Sequence, residues 1–237
     1  MTIDPTTPPT GTVLVTGGAS GLGAAVAAAV EKAGRRPVVL DRQPPPDRSL
    51  AWHEVDLADP EAAVAAVDAV AAEAGEAGVT GVVTAAGTDA CGRLEDLDVA
   101  TWARVVAVNL VGTAAVAKAA VPHLRRTRGR LVTVASTLGL KGVSDATAYC
   151  ASKFGVVGFS RALATELAGE VGVTMLVPGG MRTAFFDGRT EQYRPGPDAD
   201  LLDPAEVADA VVYALSRPAG VELRELVLVS SGEPSWP

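Results

Sequence analysis

The sequence predicts a single α/β domain, a doubly wound parallel sheet of about seven strands with helices on both faces. Three observations carry that prediction. Short, continuously apolar, β-branched runs recur along the chain, as strands buried on both faces require. Longer Ala-rich amphipathic stretches separate them, which is the pattern of βαβ units. There is no internal repeat and no linker-like composition change, and 237 residues suit one large domain rather than two.

Taken in order, Thr12–Thr16 is a buried strand by composition, and Gly21–Ala33 follows as a helix that Gly34 is suited to close. Pro37–Asp41 reads as the second strand. Pro44-Pro45-Pro46 makes a turn or rigid loop, because proline has no N–H to give a helix or ladder. Trp52–Val55 is a third, short strand. Asp59 followed by Pro60 carries the N-cap and first-position signals of a helix running towards Gly75. Gly81–Thr84 is strand-like. Val99–Arg126 reads as one long helix in which Gly112 and Pro122 predict bends or a break near the end. Arg130–Ala135 is a fifth strand, Thr147–Ala168 a helix and Gly172–Val177 a sixth strand. Pro178–Asp203 has no periodicity. Asp203-Pro204 repeats the cap-plus-proline signature and starts a helix to about Ser216, after which Leu226–Val229 is the last strand before a Pro-containing tail. The Pro- and Thr-rich start, Met1–Thr10, has no apolar signal-peptide centre and reads as a flexible tail, leaving 11–237 as the domain.

Composition narrows the function. Hydrophobic residues make up 48% and charged residues 20%, which excludes wholesale disorder, collagen-like repeats and a disulfide scaffold. A net charge of −8 gives no long-range attraction to a phosphate backbone, so no nucleic acid partner is expected. No uninterrupted apolar run reaches the eighteen or so residues of a membrane span, so no membrane partner is expected either. Cys91 and Cys150 are far apart and match no metal spacing, so they read as small buried hydrophobes in a reducing, cytoplasmic setting with no metal site.

In doubly wound folds, ligands sit beyond the carboxyl ends of the strands, and the informative residues cluster there. The first strand runs into Thr16-Gly17-Gly18-Ala19-Ser20-Gly21-Leu22-Gly23 and then directly into a helix. Glycines let that turn close tightly and let a pyrophosphate approach the helix N-terminus, where free N–H groups and the helix dipole favour anionic charge. Asp41 ends the second strand 18 residues after Gly23, where an acidic side chain can accept hydrogen bonds from adenosine ribose hydroxyls.

A second group carries acid–base chemistry. Tyr149 and Lys153 are four apart, one turn apart on one helix face. A phenol near pKa 10 is a poor base, and the neighbouring ammonium is expected to lower it so that Tyr149 can exchange a proton with an alcohol or carbonyl. Ser136, at the end of the fifth strand and 13 residues before Tyr149, can orient the reacting oxygen. Asn109 sits inside the long helix, a position asparagine fills poorly, which invites a local or functional explanation.

In this combination and order, from about Thr12 to Val229, the chain resembles the classical short-chain dehydrogenase/reductase family, whose first turn reads TGxxxGxG. The resemblance implies a Rossmann-like domain and an oxidoreductase that moves a hydride between a nicotinamide cofactor and a small secondary alcohol or ketone. It implies a tetrad of Asn109, Ser136, Tyr149 and Lys153, with Lys153 also binding the nicotinamide ribose and the Asn109 carbonyl holding a water that links the lysine to solvent. Cofactor contacts are implied at Gly17, Ser20, Gly21, Leu22 and Gly23, at Asp41 for the ribose, and at Asp56 and Leu57 for the adenine. Ala86, Gly87, Pro178, Gly179 and Thr183 are implied near the nicotinamide half. NAD is favoured over NADP, because the Asp41 carboxylate repels a 2′-phosphate and Ser20 is not basic, although Arg42 could pair with that phosphate. Relatives pair their long helices across two-fold axes, which implies a homo-oligomer, a tetramer or a dimer. The alternative is a non-catalytic dinucleotide-binding or regulatory protein on the same fold, against which the intact tetrad argues. Two departures stand out. Thr84-Ala85 replaces the usual Asn-Asn before Ala86-Gly87, and Ser230-Ser231-Gly232-Glu233 replaces the usual Asp-Gly-Gly after the last strand.

The loop 183–203 is the expected substrate lid. It carries Phe185, Phe186 and Tyr193 together with Arg182, Arg189 and Arg194. The aromatics can wall an apolar pocket and an arginine can grip a carboxylate, or the loop can simply dock by its aromatics with solvated arginines. Leu138, Leu140 and Val143 are expected on the opposite wall.

Overall fold

The computed structural model describes residues 11–236, so the expected N-terminal tail lies outside the described residues. Seven strands form one sheet: β1 Thr12–Thr16, β2 Arg36–Asp41, β3 Ala51–Glu54, β4 Val79–Thr84, β5 Arg130–Val134, β6 Gly172–Pro178 and β7 Glu225–Leu228. Their order is β3-β2-β1-β4-β5-β6-β7 and every neighbouring pair is parallel. The expected elements are present, with ends that differ by at most two residues.

Alternation along the strands divides the core. Val13, Val15, Val83 and Val132 face one side, under the helices α1 Gly21–Lys32 and α6 Pro204–Leu215. Leu14, Val38, Val82 and Leu131 face the other, under α2 Pro60–Glu73 and α4 Thr113–Thr127. The helix α5 Thr147–Glu166 lies on that second side over β5 and β6, with Val156 and Val157 packed against Met175 and Val177. Local signals explain the ends. The Asp59 carboxylate accepts from the Glu61 and Ala62 N–H groups, and Asp203 accepts from Ala205. After α1 the Gly34 N–H donates to Glu31 O at 2.8 Å and Arg35 N–H to Val30 O at 3.2 Å, a Schellman closure.

The long helix departs from expectation. It is α3 Val99–Val106, then a π-helical segment Ala107–Gly112, then α4. Pro122 lies inside α4 without ending it. The irregular segment ends instead at Gly112, where a Cβ would stand 2.5 Å from the Leu57 carbonyl oxygen, so the helix passes close against the loop that precedes α2. The whole stretch Val99–Thr127 has a hydropathy of 1.7 in its most apolar window, enough by length and composition to cross a membrane. Its sequence is nevertheless interrupted by Arg104 and Lys118, and Val116, Ala120 and Leu124 are buried in the domain core.

Candidate active site

A cleft of about 1180 Å³ opens over the carboxyl ends of the strands, larger than a typical single-ligand pocket. It runs from the glycine turn, Asp41 and Asp56, past Gly87, Ser136 and Tyr149, to Phe186 and Tyr193.

One end of the cleft is built by β1 and its turn. Gly17 has φ +74°, and a Cβ there would lie 2.7 Å from Ala86 Cα. At Gly23 a Cβ would meet the Gly17 carbonyl oxygen at 2.2 Å, so the turn can fold back on the start of α1 only without side chains. Ser20 is the N-cap residue and its hydroxyl makes no cap bond, leaving the first turn of α1 open towards the cleft. That donor-rich, side-chain-free cradle fits a pyrophosphate. The Ala19 N–H donates to Asp41 Oδ2 at 2.9 Å and the Gln43 N–H to Asp41 Oδ1 at 3.0 Å, which fixes the carboxylate beside the turn. Leu22, Asp56 and Leu57 also line the cleft. Arg104 grips Asp56 at 2.9 Å, and the Ala58 N–H together with that guanidinium holds the Asp56 carboxyl below its ordinary value despite partial burial.

The middle of the cleft is formed where β4, β5 and β6 end. The Ala86 N–H donates to Thr16 Oγ1 at 3.0 Å, so a strand residue supports the segment in which both asparagines are missing. The Thr84 hydroxyl is buried without a partner among the described residues. Pro178 and Gly179 line the cleft, and Thr183 lies against Gly21, where a Cβ would stand 3.4 Å from Thr183 Cβ. The tail closes the site from below. The Gly180 N–H donates to Glu233 Oε2 at 3.0 Å, Ser235 Oγ and Thr137 Oγ1 are 2.7 Å apart, and Lys141 Nζ donates to Pro234 O at 3.0 Å. Glu233 thus ties the tail to the turn after β6, a contact that sequence spacing did not reveal.

Ser136, Tyr149 and Lys153 line the same part of the cleft. Ser136 follows β5, its hydroxyl accepts from the Leu138 N–H at 3.1 Å, and it is one of the groups acting on the Tyr149 phenol. Lys153 is buried, donates from Nζ to Val134 O at 2.8 Å, and stands 5.7 Å from the Tyr149 ring centroid. The electrostatics differ from the expected depression of the tyrosine. Burial pushes the Tyr149 phenol up to about 12, outweighing the Ser136 hydrogen bond that lowers it, and burial pulls Lys153 down to about 8. The reason is desolvation, which disfavours both charged forms, while the Lys153 ammonium is turned to a carbonyl rather than to the phenol oxygen.

Asn109 is buried in the π-helical segment. Its Oδ1 accepts from the Thr88 N–H at 2.8 Å, and its Nδ2 donates to Thr88 O and to Ser152 Oγ, each at 2.9 Å. Thr113 Oγ1 donates to the Asn109 carbonyl at 2.8 Å. The side chain therefore clamps the loop after β4 to α5, close to Lys153: a Cβ on Gly87 would lie 3.7 Å from Asn109 Oδ1 and 3.8 Å from Lys153 Nζ. Ser152 was missed from the sequence although it directly precedes Lys153; it also donates to Tyr149 O at 2.8 Å.

On the substrate side, Phe185 packs on Tyr149 with ring centroids 5.6 Å apart. Leu138 and Val143 line the cleft, whereas Leu140 packs into the core beside Val156 and Val177. Arg182 and Arg194 are exposed; Arg189 is half-buried and paired with Asp89.

A family model described as short chain dehydrogenase matches residues 11–194. An uncharacterized oxidoreductase of Staphylococcus aureus (strain N315) is 35% identical over 149 residues, and the match spans 62% of this chain and 62% of that relative's length. The cis-4-hydroxycyclohexanecarboxylate dehydrogenase of Sinomonas cyclohexanicum is 32% identical over 236 residues, covering 92% of this chain and 94% of its own. Among solved structures, a variant of actinorhodin polyketide ketoreductase with NADPH superposes with a TM-score of 0.82 at 30% identity, over 94% of this chain and 97% of that chain.

Proposed function

This chain belongs to the short chain dehydrogenase family, and from that premise we propose that it is a nicotinamide-dependent oxidoreductase interconverting a secondary alcohol and a ketone. The observation that carries the reading is the convergence of Ser136, Tyr149 and Lys153 at the end of a cleft whose other end is the side-chain-free turn of α1. A nicotinamide dinucleotide held there supplies or accepts the hydride. Gly17, Ser20, Gly21, Leu22 and Gly23 hold its pyrophosphate, Asp41 its adenosine ribose, Asp56 and Leu57 flank the adenine, and Ala86, Gly87, Pro178, Gly179, Thr183 and Lys153 surround the nicotinamide half.

The chain's own work is proton placement. The Ser136 and Tyr149 hydroxyls bind the reacting oxygen, and Tyr149 exchanges the proton with it. With the phenol held protonated at neutral pH, Tyr149 is able to donate its proton to a carbonyl oxygen. Lys153 stabilises negative charge developing on the phenol oxygen and, through the neighbourhood of Asn109, connects to the loop after β4. The fixed Asp41 carboxylate favours NAD over NADP. Two separate free cysteines suit a reducing, cytoplasmic setting, and the exposed apolar residues of the long helices suit a homo-oligomer.

A panel of ketones and secondary alcohols with NAD(H) and NADP(H), followed at the reduced-nicotinamide absorbance, tests this. Turnover of at least one pair is expected. Binding of the dinucleotide with no turnover across the panel would favour the non-catalytic reading instead.

A further inference from the structure

The lid loop holds a charged pair that the reaction does not use. Arg189 NH2 donates to Asp89 Oδ2 at 2.7 Å, joining the lid to the loop after β4 across a hundred residues of sequence. Both side chains are enclosed, with exposures of 17% and 7%. The guanidinium carbon lies 4.9 Å from the Phe185 ring centroid and 4.6 Å from that of Phe186, and its second nitrogen donates to Tyr193 O at 3.3 Å. Asp89 is equally committed, since its Oδ1 accepts from the Ala90 N–H at 2.7 Å and its Oδ2 also accepts from Cys91 Sγ at 3.2 Å.

This arrangement bears directly on what the pocket accepts. Phe185 touches both the arginine and the Tyr149 ring, so the pair stands one side chain away from the reacting oxygen. It is close enough for both Asp89 and Arg189 to act on the Tyr149 phenol in opposite directions. An arginine free at this place would be a bidentate grip for a carboxylate. Here both terminal nitrogens already donate, to Asp89 and to Tyr193 O, two aromatic rings lie against the guanidinium, and an incoming anion would have to displace or face Asp89. Like charges brought together in an enclosed site cost several kcal/mol. Phe185, Phe186, Leu138 and Val143 give the cleft apolar walls, and Asp145 and Asp187, which also line it, are acidic.

We propose that the Asp89–Arg189 pair sets the substrate class, neutralising the lid so that the site takes uncharged ketones or secondary alcohols with an apolar ring or chain and rejects their carboxylate-bearing analogues. The inference rests on the oxidoreductase reading above. It separates this chain from its relative named for a hydroxycyclohexanecarboxylate.

Two ketones that differ by one charge and one methyl group test it: methyl 4-oxocyclohexanecarboxylate and 4-oxocyclohexanecarboxylate, with the reduced cofactor saturating. The parent is expected to favour the ester by about tenfold or more in kcat/KM. Asp89→Asn, which keeps the shape and frees the arginine, is expected to move the acid-to-ester ratio about tenfold towards the acid. In Asp89→Asn/Arg189→Gln that gain should vanish. A parent that prefers the acid, or that reduces neither ketone, overturns the proposal. So does an Asp89→Asn ratio equal to the parent's, or a double variant that keeps the gain. Turnover elsewhere on the wider panel keeps the oxidoreductase reading intact in each case. Should Asp89→Asn not fold, the parent's own preference between the two ketones still decides.

Discussion

Lys153 Nζ donates to the Val134 carbonyl at 2.8 Å while standing 5.7 Å from the centre of the Tyr149 ring. The ammonium is thus kept in the site by a β5 backbone oxygen, in surroundings that pull its pKa from 10.5 to about 8. The folded protein gives up this proton near pH 8, the unfolded chain near 10.5. Between those values the unfolded chain binds more protons, so stability rises with pH. The gain is up to about 3 kcal/mol for this group. Lys153→Met lacks that gain. Urea unfolding at pH 7.5 and at pH 10 is expected to show the parent's stability rising relative to the variant's. Parallel pH profiles would show that the lysine carries no such burial cost.

Tyr149→Phe removes one hydroxyl and keeps the ring that packs on Phe185. Folding and dinucleotide binding are expected to persist, and turnover to fall at least about a hundredfold, the usual loss with a positioned acid. The thermal midpoint and a cofactor titration check the first two, and single-turnover rates the third. A variant that turns over near the parent's rate would remove Tyr149 from proton transfer.

Asn109→Ala leaves the Thr88 N–H and carbonyl without their buried partner and takes a donor from Ser152. Unsatisfied buried groups of this kind cost about 1–3 kcal/mol each. A loss of at least about 2 kcal/mol in urea unfolding is expected, measured on the protein without cofactor, so that the readout is the clamp itself and not turnover. Unchanged stability would mean that the loop after β4 does not depend on the clamp.

Much of this was legible in the sequence, for physical reasons that can be traced. Val13-Leu14-Val15 could only be a strand buried on both faces, and Asp59-Pro60 and Asp203-Pro204 mark helix starts by cap chemistry alone. Tyr149 and Lys153 meet because the helical repeat is local. The π-helical segment Ala107–Gly112 was not legible, since a single widened turn leaves no period in the sequence. Nor was the sign of the Tyr149 shift, because spacing shows a neighbouring charge but not how much water both groups have lost. Asp89–Arg189 and Gly180–Glu233 join segments 100 and 53 residues apart, and no local pattern announces such pairs.

Self-association is expected from three apolar side chains that the fold leaves in water. Val99 on α3 is 79% exposed, Val111 in the π segment 42% and Phe154 on α5 47%. Such residues on neighbouring helices mark a surface that a second copy can cover, and an isologous pairing closes into dimers or tetramers. Sedimentation at micromolar concentration should give a species of at least twice 24.0 kDa, shifted towards monomer by Phe154→Lys. A monomer alone would refute it.

The proposed preference for NAD over NADP rests on Asp41. Its carboxylate accepts from the Ala19 and Gln43 N–H groups, so it cannot swing away from the ribose side of the glycine turn without breaking both bonds. A 2′-phosphate there would lie within about 4 Å of it, a repulsion of roughly 4 kcal/mol at an effective dielectric near 20. Solvent reduces that value, yet about 1.4 kcal/mol already gives tenfold discrimination. Against it stands Arg42, which also borders the cleft and could pair with the phosphate. The two residues differ in freedom: Asp41 is tied on both oxygens, whereas Arg42 is an exposed side chain at the start of the Pro44–Pro46 loop. A long, exposed side chain loses entropy when it is held on a ligand, so the fixed charge outweighs the mobile one. The parent should therefore show the higher kcat/KM with NADH. Asp41→Ala should raise the NADPH-to-NADH ratio about tenfold, and Asp41→Ala/Arg42→Ala should give back part of that gain. A parent that prefers NADPH, or an Asp41→Ala variant with an unaltered ratio, would transfer control of the choice from Asp41 to other groups at the cleft.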